Sequence, residues 1–172
     1  MSKGEKRSDA GINGINRREL LSLGAMAGLA AGAGTAPQAA AQTTASFPKV
    51  VVAALAELEP GAEVAFDYPD ENAPSVLLRL DGPVEGGVGP DQSIVAYSML
   101  CTHKGCPVAY HADQKMLICP CHWSSFDPAK RGRMIIGQAS QGLPQITLRV
   151  EAGMVEAVGV EGLIYGRHTN IL

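Results

Sequence analysis

Four residues in the middle of this chain have the types and spacing of metal ligands: Cys101, His103, Cys119 and His122. They fall in two short pieces, Cys101-Thr102-His103-Lys104-Gly105-Cys106 and Cys119-Pro120-Cys121-His122-Trp123-Ser124. Each piece offers one thiol and one imidazole on a tight turn. Fifteen residues separate His103 from Cys119, enough for two loops to meet tip to tip. Two Cys with two His suit two kinds of centre. One is a tetrahedral zinc site. The other is a binuclear iron–sulfur centre in which two Cys hold one iron and two His hold the other. The residue types alone leave both open, but three features favour iron. Each piece mixes Cys with His, whereas zinc modules more often draw a Cys pair and a His pair from separate places. The remaining cysteines, Cys106 and Cys121, hold equivalent places in the two pieces and could bridge them. Pro and Gly stand where backbone N–H groups can turn inward toward sulfur. All four cysteines lie within 21 residues, a density that marks a site rather than scattered structural positions.

The surrounding chain supplies strands to position these loops. Hydrophobic residues make up 46% of the 172 residues, aromatics only 5%, and there are 20 Gly and 11 Pro. That balance describes a small β-rich fold with long loops. Val50–Leu55 is apolar, Ala62–Tyr68 alternates through Val64, Phe66 and Tyr68, and Ser75–Leu80 reads as a third strand. Asp70–Pro74 is a turn and Asp81–Gln92 a Gly/Pro loop. Ser93–Met99 leads straight into Cys101. Ile146–Val150 and Met154–Val160 read as a hairpin turned at Glu151-Ala152-Gly153. Strands at this spacing, without a helical period, predict an all-β sandwich or barrel, with a loop-rich insert over about residues 100–144. There is no internal repeat and no sign of a second domain beyond residue 41.

Residues 1–41 read as an address rather than a fold. Arg17-Arg18 is followed by the uncharged Leu/Ala/Gly run Leu20–Gly34, and Ala39-Ala40-Ala41 supplies small residues for cleavage. This is the layout of a twin-arginine export signal, and it predicts a periplasmic, oxidising destination where a disulfide persists. The apolar run is about 15 residues where a membrane span needs about 20, so a retained anchor is the less favoured alternative. Net charge over the full chain is −3. Beyond residue 41 there are nine basic and fourteen acidic residues, a formal −5. Nucleic acid, which needs a basic face, is not expected as a partner.

The two pieces together resemble the two cluster-binding loops of the Rieske family. The resemblance implies one [2Fe–2S] cluster on Cys101, His103, Cys119 and His122, and a loop-bridging disulfide between Cys106 and Cys121. It also implies that Gly137-Gln138-Ala139-Ser140-Gln141-Gly142-Leu143-Pro144 forms a Pro-containing lid over the cluster. Within the family, the export signal, Cys101–Val108, Ile136-Gly137-Gln138-Ala139 and the ending Gly162-Leu163-Ile164-Tyr165-Gly166-Arg167 resemble the small subunit of arsenite oxidases. That likeness implies an electron-transfer subunit of an oxidoreductase complex, with no catalytic residue of its own. Its implied partners are a large molybdenum-containing catalytic subunit and, as acceptor, a cytochrome c or copper protein. A subunit of a cytochrome bc-type quinol-oxidising complex, a soluble Rieske ferredoxin and a zinc-binding module remain the alternatives.

The resemblance also sets expectations for tuning. Ser124 stands where bc-type Rieske proteins have a serine that donates to a bridging sulfide. Phe126 stands where they have a tyrosine that donates to a ligand sulfur, so one donor is missing. Hydrogen bonds to cluster sulfurs raise the potential. The expectation is therefore a value below that of a protein with both donors, in the upper part of the family range of about −150 to +300 mV. Trp123, the only tryptophan, is a docking or packing residue beside a ligand. Lys104 and His111 read as solvated loop or turn residues, and His168 as a contact for a partner. Ser124 and Ser125 beside His122 lack the orienting acid a hydrolase needs.

Overall fold

In the computed structural model of this chain, residues 46–171 are described, and the twin-arginine segment lies outside them. The described residues contain ten strands and no α-helix. These are β1 (Val50–Ala54), β2 (Glu63–Asp67), β3 (Pro74–Arg79), β4 (Ile94–Ser98), β5 (Ala109–His111), β6 (Met116–Ile118), β7 (Ser125–Asp127), β8 (Arg133–Ile136), β9 (Gln145–Glu151) and β10 (Met154–Glu161). They form two antiparallel sheets. A six-stranded base runs β1-β10-β9-β4-β3-β2, and a four-stranded sheet runs β5-β6-β7-β8.

The base follows the expected strands closely. β2 alternates exposed and half-buried residues because it lies at a sheet edge with one face covered. β4 does not alternate, and all five of its residues are buried. The reason is visible in the two cores. Val76, Leu78, Val95 and Tyr97 point to one core, together with Cys101, Val108, Leu117, Cys119 and Phe126. Leu77, Ile94 and Ala96, from the same two strands, point to the other with Ile146, Val155 and Ala157. β3 and β4 are therefore covered on both faces, and an apolar strand buried on both faces loses its period-two signature.

The second sheet was not expected. Its strands have three or four residues, too few for alternation to register, so the insert reads as loop. Its layout matters for the site. The two Cys/His pieces lie before β5 and between β6 and β7, at one end of this sheet, and the chain leaving β8 returns over them. At the other end the Tyr97 hydroxyl donates to the Pro128 carbonyl at 2.8 Å, and Leu143 N–H donates to Gly132 at 2.9 Å. These bonds tie the sheet to the base beneath it.

Candidate metal centre

Two turns of the same backbone form present the candidate ligand side chains. In the first, Gly105 N–H donates to the Cys101 carbonyl at 2.8 Å and Cys101 N–H to the Cys106 carbonyl at 2.9 Å. In the second, Trp123 N–H donates to the Cys119 carbonyl at 2.9 Å and Cys119 N–H to the Ser124 carbonyl at 2.9 Å. The left-handed position is Gly105 (φ 71°) in one turn and Trp123 (φ 60°) in the other. By backbone register Cys106 therefore matches Ser124, and Cys121 matches His103. The expected equivalence of Cys106 and Cys121 is not seen: they lie at different positions of the two turns and still meet. They form a disulfide that joins the turns.

Cys101 and Cys119 are buried free thiols, each 1% exposed. Burial pushes the Cys101 thiol up; the backbone N–H groups of His103 and Lys104 point at its sulfur, and the Cys119 thiol lies against it. Two adjoining buried thiols are costly to ionise without a cation, and a metal that binds thiolate supplies one. The sulfurs of Cys106, Cys119 and Cys121 all lie within 4.8 Å of one another. Two of these are spent on the disulfide, so only Cys119 of the three is a free donor.

The imidazoles of His103 and His122 stand edge to face, with ring centroids 4.7 Å apart. His122 is exposed and His103 half-buried. His103 Nδ1 is buried with no hydrogen-bond partner. An orphaned imidazole nitrogen is costly unless something accepts its lone pair. Two converging thiols, two facing imidazoles and this nitrogen fit a centre with mixed sulfur and nitrogen donors.

Ser124 is fully buried and joins the second turn to the lid. Its Oγ accepts the N–H groups of Gln138 and Ala139, both at 3.0 Å. With both lone pairs engaged, the hydroxyl hydrogen is what Ser124 has left to donate. Gly137 (φ 119°) makes this approach possible, since a Cβ there would lie 2.3 Å from Ser124 Cα. The lid also reaches the first turn, where the Thr102 hydroxyl donates to the Gln141 carbonyl at 2.8 Å. Phe126 is fully buried in the core that holds Cys101 and Cys119. It brings apolar surface and no hydroxyl beneath the thiols. Trp123 is 71% exposed, Lys104, His111 and His168 are exposed, and none of them has a side-chain partner among the described hydrogen bonds.

Comparison with known proteins agrees with this geometry. The Rieske [2Fe-2S] domain family matches residues 48–147. An iodate reductase subunit IdrB from Denitromonas iodatirespirans is 40% identical over 160 residues, 91% of this chain and 86% of that protein. A cytochrome bc1 complex Rieske iron-sulfur subunit from Streptomyces lividans is 46% identical over only 70 residues, 40% of this chain and 41% of its own. Among solved structures, the soluble domain of Rieske protein II (soxF) from Sulfolobus acidocaldarius overlays with a TM-score of 0.63. It is 24% identical and covers 71% of this chain and 82% of its own. That likeness speaks for the fold.

This chain belongs to the Rieske [2Fe–2S] family, and its cofactor is a [2Fe–2S] cluster. Within the family, it matches an iodate reductase subunit over 91% of its length.

Proposed function

We propose that this chain is the one-electron relay of an exported oxidoreductase, with Cys101 and Cys119 holding one iron of the cluster and His103 and His122 the other. The observation that carries the ligand assignment is the pair of buried free thiols beside two facing imidazoles, one with an orphaned nitrogen. When bound, the cluster supplies a site that gains and loses one electron. The chain's own residues do the rest. The apolar core containing Phe126, Val108 and Leu117 keeps water from the thiol side. Ser124 fixes the lid and keeps its hydroxyl hydrogen for a cluster sulfur. The exposed His122 ring, beside Trp123, is the shortest route from the site to a docked protein.

The substrate chemistry belongs to a large molybdenum-containing partner. Two readings of that partner differ in the direction of electron flow. The full-length relative favours an iodate reductase, in which this chain would deliver electrons to the catalytic subunit. The likeness of Cys101–Val108, Ile136–Ala139 and Gly162–Arg167 to the small subunit of arsenite oxidases supports the second reading. There electrons would leave the catalytic subunit through this chain to a periplasmic cytochrome c or copper protein. The Tat-type N-terminus supports a periplasmic location in both.

The test is to purify the tagged chain from the periplasm of its native host. The eluate is assayed for iodate-dependent oxidation of a reduced dye and arsenite-dependent reduction of an oxidised one. A co-eluting molybdenum protein with iodate activity supports the first reading; arsenite activity moves the assignment to the second. A brown protein that elutes alone or with cytochromes, and responds to neither, overturns both and points to a quinol-oxidising complex.

A further inference from the structure

The two metal-binding turns share a backbone form but not a means of support. In the second, the left-handed residue is Trp123, which carries its own side chain, and Ser124 ties the turn to the lid. In the first, the left-handed residue is Gly105, with no side chain. The space where one would stand is taken by Tyr165: a Cβ built on Gly105 would lie 2.4 Å from Tyr165 Cδ1 and 2.6 Å from Cε1. The ring thus packs directly against Gly105, the residue that closes the turn from Cys101 to Cys106.

Tyr165 reaches this place from the C-terminal segment that follows β10, and the segment is fastened on both sides of it. Ile164 is fully buried. Its N–H donates to Asn170 Oδ1 at 3.0 Å, and Asn170 Nδ2 donates to the Gly162 carbonyl at 2.6 Å, which closes the segment on itself. Arg167 donates from both terminal nitrogens to Asp70, at 2.6 and 2.8 Å, on the β2–β3 turn. That pair is half-buried, and the bidentate form is the geometrically specific one. Arg167 holds the Asp70 carboxyl below the usual carboxylate range.

We propose that residues 162–171 form a strap that positions the first cluster-binding turn. Tyr165 is the positioning residue over Gly105, and Arg167–Asp70 is the latch that holds it there. The tyrosine hydroxyl has no described hydrogen bond, so the contact is made by the ring. Disulfide and lid join the first turn to other loops, whereas the strap joins it to the base. The inference rests on reading this turn as a cluster loop.

Tyr165→Ala, Tyr165→Phe and Asp70→Asn variants of the full-length holoprotein test it. Hydrogen exchange is read by mass spectrometry, with the disulfide reduced at quench, and the reduced cluster is read by electron paramagnetic resonance. Tyr165→Ala is expected to speed exchange in the peptide containing Gly105 by about tenfold or more. The peptide containing Trp123 should stay within about twofold of wild type, and the resonance should broaden or shift. Tyr165→Phe should restore both signatures, and Asp70→Asn should move them in the alanine direction. Equal acceleration in both turns would mean general destabilisation and overturn the inference. So would an unchanged Gly105 peptide or an unchanged resonance. A wild-type protein with no [2Fe–2S] signal would instead overturn the cluster assignment on which the inference rests.

Discussion

Ser124→Ala separates two roles that one hydroxyl plays. In the folded chain, Ser124 Oγ accepts N–H groups from Gln138 and Ala139. Gln138 is exposed, so water replaces the acceptor its N–H loses. Ala139 is buried, so its N–H is left unpaired at a cost of about 1–3 kcal/mol. For a domain of this size that lowers Tm by roughly 4–11 °C. The second role, which belongs to the proposed cluster assignment, is redox. Both acceptor positions of Oγ are filled, and under the proposed assignment its O–H would donate to a cluster sulfur and favour the more negative, reduced state. A donor worth about 1.5–3 kcal/mol to a charged acceptor loses only part of that between redox states, about 1–1.5 kcal/mol. With 59 mV per tenfold change for one electron, the midpoint potential should fall by about 40–65 mV. The assay is a redox titration followed by visible circular dichroism, with iron and sulfide measured to show that the cluster is intact. A lower Tm with an unchanged potential would refute the reasoning. It would mean that the hydroxyl braces the lid and does not address the cluster.

Other outcomes follow from the same geometry. Phe126→Tyr places a hydroxyl in the core that holds both thiols, where a ligand sulfur is an available acceptor; the potential should rise by roughly 40 mV, and a fall would contradict this. Replacing Cys106 and Cys121 together by Ser opens a cross-link of sequence separation 15. This should cost about 3 kcal/mol in denaturant unfolding while leaving Cys101 and Cys119 free to bind iron. The Asp70 carboxyl is held low by Arg167, so its contribution to stability is present above the ordinary carboxylate range near 4 and is lost as pH falls through the lowered value. Asp70→Asn should therefore be less stable than wild type at neutral pH, and the difference should vanish on acidification; a constant difference in Tm across that range would contradict it.

Much of the fold was legible because the base obeys simple patterns. β2 shows period-two alternation through Val64 and Phe66, and the β9–β10 turn carries Ala152 and Gly153 at positive φ, as its sequence suggests. The second sheet was hidden because strands such as Met116–Ile118 are too short to show a period. They are held by pairing with neighbours rather than by their own pattern. At the site, residue types and spacing pointed to Cys101, His103, Cys119 and His122, and the chain brings the two thiols together and the two imidazoles together. What spacing cannot show is support from a distance. Tyr165 over Gly105, and Ser124 bonded to Gln138 and Ala139, join residues 60 and about 15 positions apart. Local sequence carries no trace of them except glycines where a side chain would collide. The matched places given to Cys106 and Cys121 failed for a related reason. The two turns have the same backbone length, but Cys106 lies five residues after Cys101 while Cys121 lies only two after Cys119, so the pair meets through the way the turns face each other and not through matched positions.

The central claim is that two Cys and two His hold one [2Fe–2S] cluster. Pulsed electron paramagnetic resonance on the reduced protein, grown with 15N-labelled histidine, tests it most directly. Two nitrogen couplings from histidine are predicted in wild type, with iron and labile sulfide at about two each per chain. One coupling should vanish in a His122→Cys variant that still binds iron. A colourless zinc protein would contradict the account, and so would a cluster that shows no histidine nitrogen or only one.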